Sequence, residues 1–121
     1  LILTATNAPR PVIFPAHLGR GPIVICDVAA PRDVDPSVKA ERPHVVLLKG
    51  GIVKAPLGQR LEIGGIPLAA GQIYGCLAET ILLGFAGFGE NFSVGKLTPS
   101  HVRRIEELAA MHGFSIEEQP A

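Results

Sequence analysis

The residues of this chain best equipped for chemistry are one dense acid cluster, two cysteines and four histidines. The segment VICDVAAPRDVDP, residues 24–36, runs from apolar residues into Asp27, Asp33 and Asp35, with Arg32 among them. Carboxylates grouped beside a cation are the raw material of general acid–base catalysis, which also needs surroundings that perturb at least one pKa. Residues 32–36 are bounded by Pro31 and Pro36, and aspartates in such a loop most simply cap turns and face water. The structural reading is therefore expected for Arg32, Asp33 and Asp35. Asp27, at the exit of the apolar run, stays open between a ligand contact and a structural role.

Cys26 falls in a strand-like run and Cys76 in a helix-like one. There is no CxxC pair and no histidine at ligand spacing, so spacing alone makes both cysteines small core thiols. His17, His44, His101 and His112 are scattered, and no zinc site is expected. Cys76 has one feature that Cys26 lacks. If its helix begins near Gly71 or Gln72, the sulfur lies within about the first turn, where free amides and the helix dipole favour a thiolate.

The elements that must position these groups show in the apolar patterning. Residues 1–6 (LILTAT), 22–28 (PIVICDV) and 44–48 (HVVLL) are β-branched-rich and largely unalternating, as expected of strands buried on both faces of a parallel sheet. The intervening segments hold PAHLG and DPSVKAERP, which fit short helical turns, the second with Asp35 as N-cap. Links of that length favour parallel crossovers over hairpins. Residues 49–71 are rich in glycine and carry Pro56 and Pro67, so 57–70 read as an irregular loop, or as part of a hairpin over residues 52–63 turning near Leu57, Gly58 and Gln59. Residues 72–87 read as a buried helix with Ile73, Leu77, Ile81 and Phe85 along one side. Thr98 and Pro99 open a second helix as N-cap and first helical residue, and Gly113 closes it. Its expected apolar stripe is Val102, Ile105, Leu108 and Met111, followed by a short extended piece at residues 114–116.

In an open parallel sheet the ligand crevice lies off the carboxyl ends of the strands. Three such ends occur here. Thr4, Thr6 and Asn7 offer hydroxyls and an amide suited to a sugar or carboxamide, and equally to a strand exit with no ligand. Asp27 marks the second end. Gly50 and Gly51, ahead of Ile52, permit positive φ or close backbone approach, which suits either a flat ring or an ordinary turn. No GxGxxG or P-loop occurs, so nothing in the sequence cradles a pyrophosphate at a helix N-terminus.

Composition narrows the partners. The 121 residues fit one domain. Eleven basic residues balance eleven acidic ones, which gives no electrostatic footprint for nucleic acid or an anionic membrane. The longest apolar stretches stop well short of a membrane span, no signal-peptide pattern appears, and the cytoplasm is the expected location. With 47 % hydrophobic and 18 % charged residues, some surface is expected to be covered by another chain or domain.

Four motifs in order carry a family resemblance: LKGGIV at 48–53, QIYGCLAETILL at 72–83, NFSVGK at 91–96 and HGF at 112–114. With them the chain resembles the C-terminal part of predicted amino-acid dehydrogenases related to long-chain acyl-(acyl-carrier-protein) reductases. Residues 1–38 also look like the second half of the NAD(P)-binding domain of glutamyl-tRNA reductases and shikimate-dehydrogenase-like proteins. The resemblance implies an α/β fold: the second half of a Rossmann-like parallel sheet, with three strands over residues 1–56 and two C-terminal helices over 71–116. It implies that Thr4, Thr6, Asn7, Asp27, Gly50, Gly51 and Ile52 surround the ribose and nicotinamide of NAD(P)H. It implies that Cys76, within YGCLAE, takes an acyl group as a thioester before hydride transfer.

The same resemblance starts at about the fourth of six strands. The expected molecule is thus a partial NAD(P)-binding domain that lacks its N-terminal half, holds no cofactor by itself and is inactive alone. The alternative is a non-catalytic structural fragment that self-associates. In either case the edge of residues 1–6, with no lysine or proline to blunt it, is expected to form a homodimer with help from residues 73–85.

Overall fold

A computed structural model describes residues 1–56, 60–116 and 119–120, the last two by backbone only. The fold is α/β. Three strands, β1 (Ile2–Thr4), β2 (Ile23–Asp27) and β3 (Val45–Lys49), pair in parallel in the order β1-β2-β3, as their unalternating apolar character predicts. The crossovers contain a 3-10 turn at Pro15–His17 and the short helix α1 (Ser37–Glu41). Asp35 starts α1 by accepting from the Ser37 amide at 2.9 Å and from the Ser37 hydroxyl, while Pro36 occupies the N-cap and supplies no side-chain bond.

Beyond β3 come β4 (Ile52–Lys54), β5 (Gln72–Tyr74), α2 (Gly75–Phe85), α3 (Pro99–His112), β6 (Ser115–Ile116) and β7 (Gln119–Pro120). The chain divides into two compact units, Leu1–Gly51 with Glu118–Ala121 and Ile52–Glu117. In the first, β7 adds an antiparallel strand to β3, a pairing that nothing in the sequence announced. Its core is Leu18, Ile25, Val34 and Val38, packed by Ile2, Ile13, Ile23, Val45 and Leu47. Ile2, Ile23, Ile25, Val45 and Leu47 share one face of the sheet because strand residues two apart point the same way, and Ile13, Leu18, Val34 and Val38 pack on it from the crossovers.

In the second unit β4 pairs antiparallel with both β5 and β6. This corrects the expected hairpin over residues 52–63: the partner of β4 is Gln72–Tyr74, and the expected turn at 57–59 lies outside the described residues. Ile73 at the centre of β5 is fully buried, so burial selects this strand over the glycine-flanked Ile63. Because residues 72–74 are strand, α2 starts only at Gly75 and turns Ala78 and Leu82 inward. Phe85, expected on the buried stripe, is 62 % exposed. A helix apolar all round gives periodicity little to distinguish.

Helix α3 has the expected ends: the Thr98 hydroxyl accepts from the His101 amide, Pro99 opens the helix, and Gly113 closes it at φ +75°. Its inward face is His101, Ile105, Leu108 and His112. Val102 and Met111, expected on that face, are exposed, so the stripe follows 3.6 residues per turn and not an even three-residue spacing. Among the described residues no helix is long and apolar enough to cross a membrane.

Candidate functional site

The carboxyl ends of the three parallel strands are in register. Thr4 aligns with Asp27, and Asp27 with Lys49. The chain leaves this line in concert: the Val28 amide donates to the Thr4 carbonyl and the Gly50 amide to the Asp27 carbonyl, each at 2.9 Å. Thr6, Asn7, Asp27, Gly50, Gly51 and Ile52 therefore follow neighbouring strand ends, as the sequence suggested.

What those side chains touch is the loop after β2. Asp33 is fully buried, which corrects the expectation that it faces water. One of its carboxylate oxygens accepts from the Thr4 hydroxyl and from the Thr6 amide at 2.9 Å, and the other accepts from the Thr6 hydroxyl. These donors, led by the Thr4 hydroxyl and then the Thr6 hydroxyl, hold its carboxyl below the usual carboxylate range against the opposing effect of burial. Asp27 grips the same loop from the β2 side. Its Oδ1 accepts from the Ala29 amide at 3.0 Å, and its Oδ2 from the Asp33 and Val34 amides at 3.0 and 3.1 Å. Two buried carboxylates, each satisfied by donors of this chain, clamp the exits of β1 and β2 together.

The glycines serve the same construction. Gly51 has φ +71°, and a Cβ there would stand 2.9 Å from Val28 Cγ1. A Cβ on Gly50 would meet Cys26 Sγ and Val28 Cγ2, each at 2.8 Å. Both glycines are needed because Val28, leaving β2, already fills the space beside them. Ile52, next in the chain, is buried. Of the seven residues expected around a nicotinamide, Asn7 alone presents a polar side chain with no hydrogen bond among the described residues.

The cysteines separate clearly. Cys26 is half-buried in β2, whereas Cys76 is exposed, so the core-thiol reading does not hold for Cys76. Cys76 is the second residue of α2, as its expected first-turn position required. Tyr74, the N-cap, supplies no side-chain acceptor to the first-turn amides. Gly75, immediately before it, lines a cleft of about 350 Å³ between α2 and α3, whose walls include Ala78, Leu82, Ile105, Ala109 and Phe114. The periodicity of either helix alone gave no sign of this cleft, because it depends on how the two pack. No group of metal-ligating side chains occurs among the described residues.

The chain is similar to segments of two longer enzymes. It is 38 % identical over 120 residues to aminotransferase PigE of a Serratia species, a match covering 96 % of this chain and 14 % of that protein. It is 28 % identical over 118 residues to the long-chain acyl-[acyl-carrier-protein] reductase of Synechococcus elongatus, covering 93 % of this chain and 34 % of that protein. The chain thus spans about a seventh and a third of these relatives. No family model matches it.

Proposed function

We propose that this chain is a segment of an NAD(P)H-dependent reductase, the nicotinamide-side half of its Rossmann-like sheet, in which Cys76 accepts the acyl group of a thioester. The observation that carries this reading is the exposed thiol at the start of α2, next to a residue lining an apolar cleft. The similarity of nearly the whole chain to part of an acyl-carrier-protein reductase supports it.

The step assigned to Cys76 is a thioester exchange. Its thiolate attacks the acyl carbonyl, a carbon–sulfur bond forms to Sγ, the bond to the carrier sulfur breaks, and the carrier thiolate leaves and takes up a proton. No electrons change hands. The cleft suits an aliphatic acyl chain because its walls are mostly apolar and include small residues, with Glu79, Glu106 and Ser115 the polar exceptions.

The residues at the strand ends do not fit a cofactor cradle by themselves. Thr4, Thr6 and Asp27 spend their hydrogen bonds within the chain, and Val28 fills the space beside Gly50 and Gly51. The grip on the dinucleotide falls to the rest of the longer protein, and the chain alone is inactive in reduction.

A short acyl thioester of N-acetylcysteamine, followed by intact-mass spectrometry, tests the assignment. Acylation is expected at Cys76, faster in the folded chain than in urea and absent in Cys76→Ser. Equal rates at Cys26 and Cys76, or no acceleration by folding, would refute it.

The edge position of β1 favours a second reading, self-association. Among the described residues β1 pairs only with β2, and Leu1 and Leu3 are 95 % and 70 % exposed. Val46 is also exposed, and it lies on the same face of the sheet as Leu3 by register. An apolar edge of this kind is a template for a second copy related by a two-fold axis. Ile73, expected at such a contact, is fully buried and takes no part.

A further inference from the structure

In the first unit, on the α1 side of the sheet, a cavity of about 150 Å³ opens beneath the ends of β2 and β3. Arg32, Lys39 and Lys49 line it together with Asp27 and Asp35. The two acids are engaged by donors of the chain itself. Asp27 directs both oxygens at the amides of Ala29, Asp33 and Val34, and Asp35 accepts from the amide and hydroxyl of Ser37. Arg32 and Lys49 make no ion pair or side-chain hydrogen bond among the described residues. Lys39 has an interaction of its own, and the cations open to a ligand are Arg32 and Lys49.

We propose that this cavity binds a small oxyanion, the end group of a phosphate monoester or a carboxylate. A planar guanidinium matches two oxygens of such a group at once, and an ammonium lining the same cavity adds a point charge. Volume decides the class. A space of about 150 Å³ holds a ligand of roughly benzene size, whereas drug-sized ligands occupy pockets of about 300–1,000 Å³. A whole dinucleotide is too large for it, so that only a terminal group of a larger molecule would enter. The site does not depend on the reductase reading, since it uses neither Cys76 nor Asn7.

The test is an amide ¹H–¹⁵N titration of the chain with sodium phosphate and, separately, sodium acetate, with sodium chloride holding ionic strength constant. Saturable shifts are expected at the amides of Arg32, Val34 and Lys49, with a Kd on the order of 1–10 mM, the strength of one bidentate contact and one screened charge. Tighter phosphate binding identifies a phosphate ester as the ligand class, and tighter acetate binding a carboxylate. Arg32→Gln and Lys49→Gln should each weaken binding roughly tenfold, while Arg20→Gln, on an exposed loop outside the cavity, should leave it unchanged. Where Arg32→Gln loses spectral dispersion, Arg32→Lys keeps the charge, removes the fork and should still weaken binding. Shifts that rise linearly with both salts, or saturation untouched by the Arg32 and Lys49 substitutions in a dispersed spectrum, would overturn the proposal.

Discussion

Gly51→Ala tests whether the turn after β3 is dictated by its own chain. Two costs act at this position. The left-handed φ of +71° costs an L-residue about 1–2 kcal/mol. The added Cβ, 2.9 Å from Val28 Cγ1, forces a shift in a packed neighbour at about 1–3 kcal/mol. The sum is about 2–5 kcal/mol, a large share of the roughly 5–15 kcal/mol that stabilises a typical domain. Gly50→Ala carries the steric cost alone, since its clash is with Val28 and Cys26 and its φ is not positive. Val28 is 39 % exposed, so Val28→Ala by itself should cost only about 1 kcal/mol. Combined with Gly51→Ala, it should remove the steric share and leave the dihedral cost, a non-additivity that a double-mutant cycle measures. The chain has no tryptophan, so urea unfolding followed by far-UV circular dichroism is the assay. A Gly51→Ala chain as stable as the parent, or a penalty unchanged by Val28→Ala, would show that Val28 packing is not what requires the glycine.

Acid unfolding should report on Asp33. Its folded pKa is depressed, so its contribution is fully present above the unfolded carboxylate value near 3.8 and is lost as pH falls through the lower folded value. Asp33→Asn should be less stable than the parent at neutral pH and lose stability less steeply below pH 3.8, as urea midpoints across the acid range will show; parallel profiles would contradict the clamp. Leu82→Ala, at a fully buried position on α2, should cost about 2–5 kcal/mol, whereas Met111→Ala, exposed on α3, should stay within about 0.5 kcal/mol. Light scattering after size exclusion should give twice 12.7 kDa, with Leu3→Lys returning the monomer; a parent chain that stays monomeric at tens of micromolar would refute the edge argument.

Short-range signals were enough for much of the fold. Runs of β-branched residues without alternation identified β1, β2 and β3 as parallel strands, but the burial on both faces expected of them holds on one face only: Leu3 and Val46 on the other are exposed. Thr98, Pro99 and Gly113 marked both ends of α3, because capping depends on residues within one turn of the terminus. The first-turn position of Cys76 followed equally from the local pattern, even though the helix starts at Gly75.

Other features depend on partners distant in sequence. The Thr4 hydroxyl meets Asp33 across 29 residues, so a proline-bounded loop that looks solvated supplies a buried carboxylate. β4 chooses β5 and β6 over the nearer residue 63, because strand pairing follows which side chains can be buried together. Packing also decided which of two similar thiols is exposed, and which cations of the segment after β2 share a cavity with Lys49. Local sequence specifies backbone preference and capping within a turn or so. The satisfaction of a buried polar group depends on the tertiary neighbour that donates to it, and that neighbour is set only when the strands come into register.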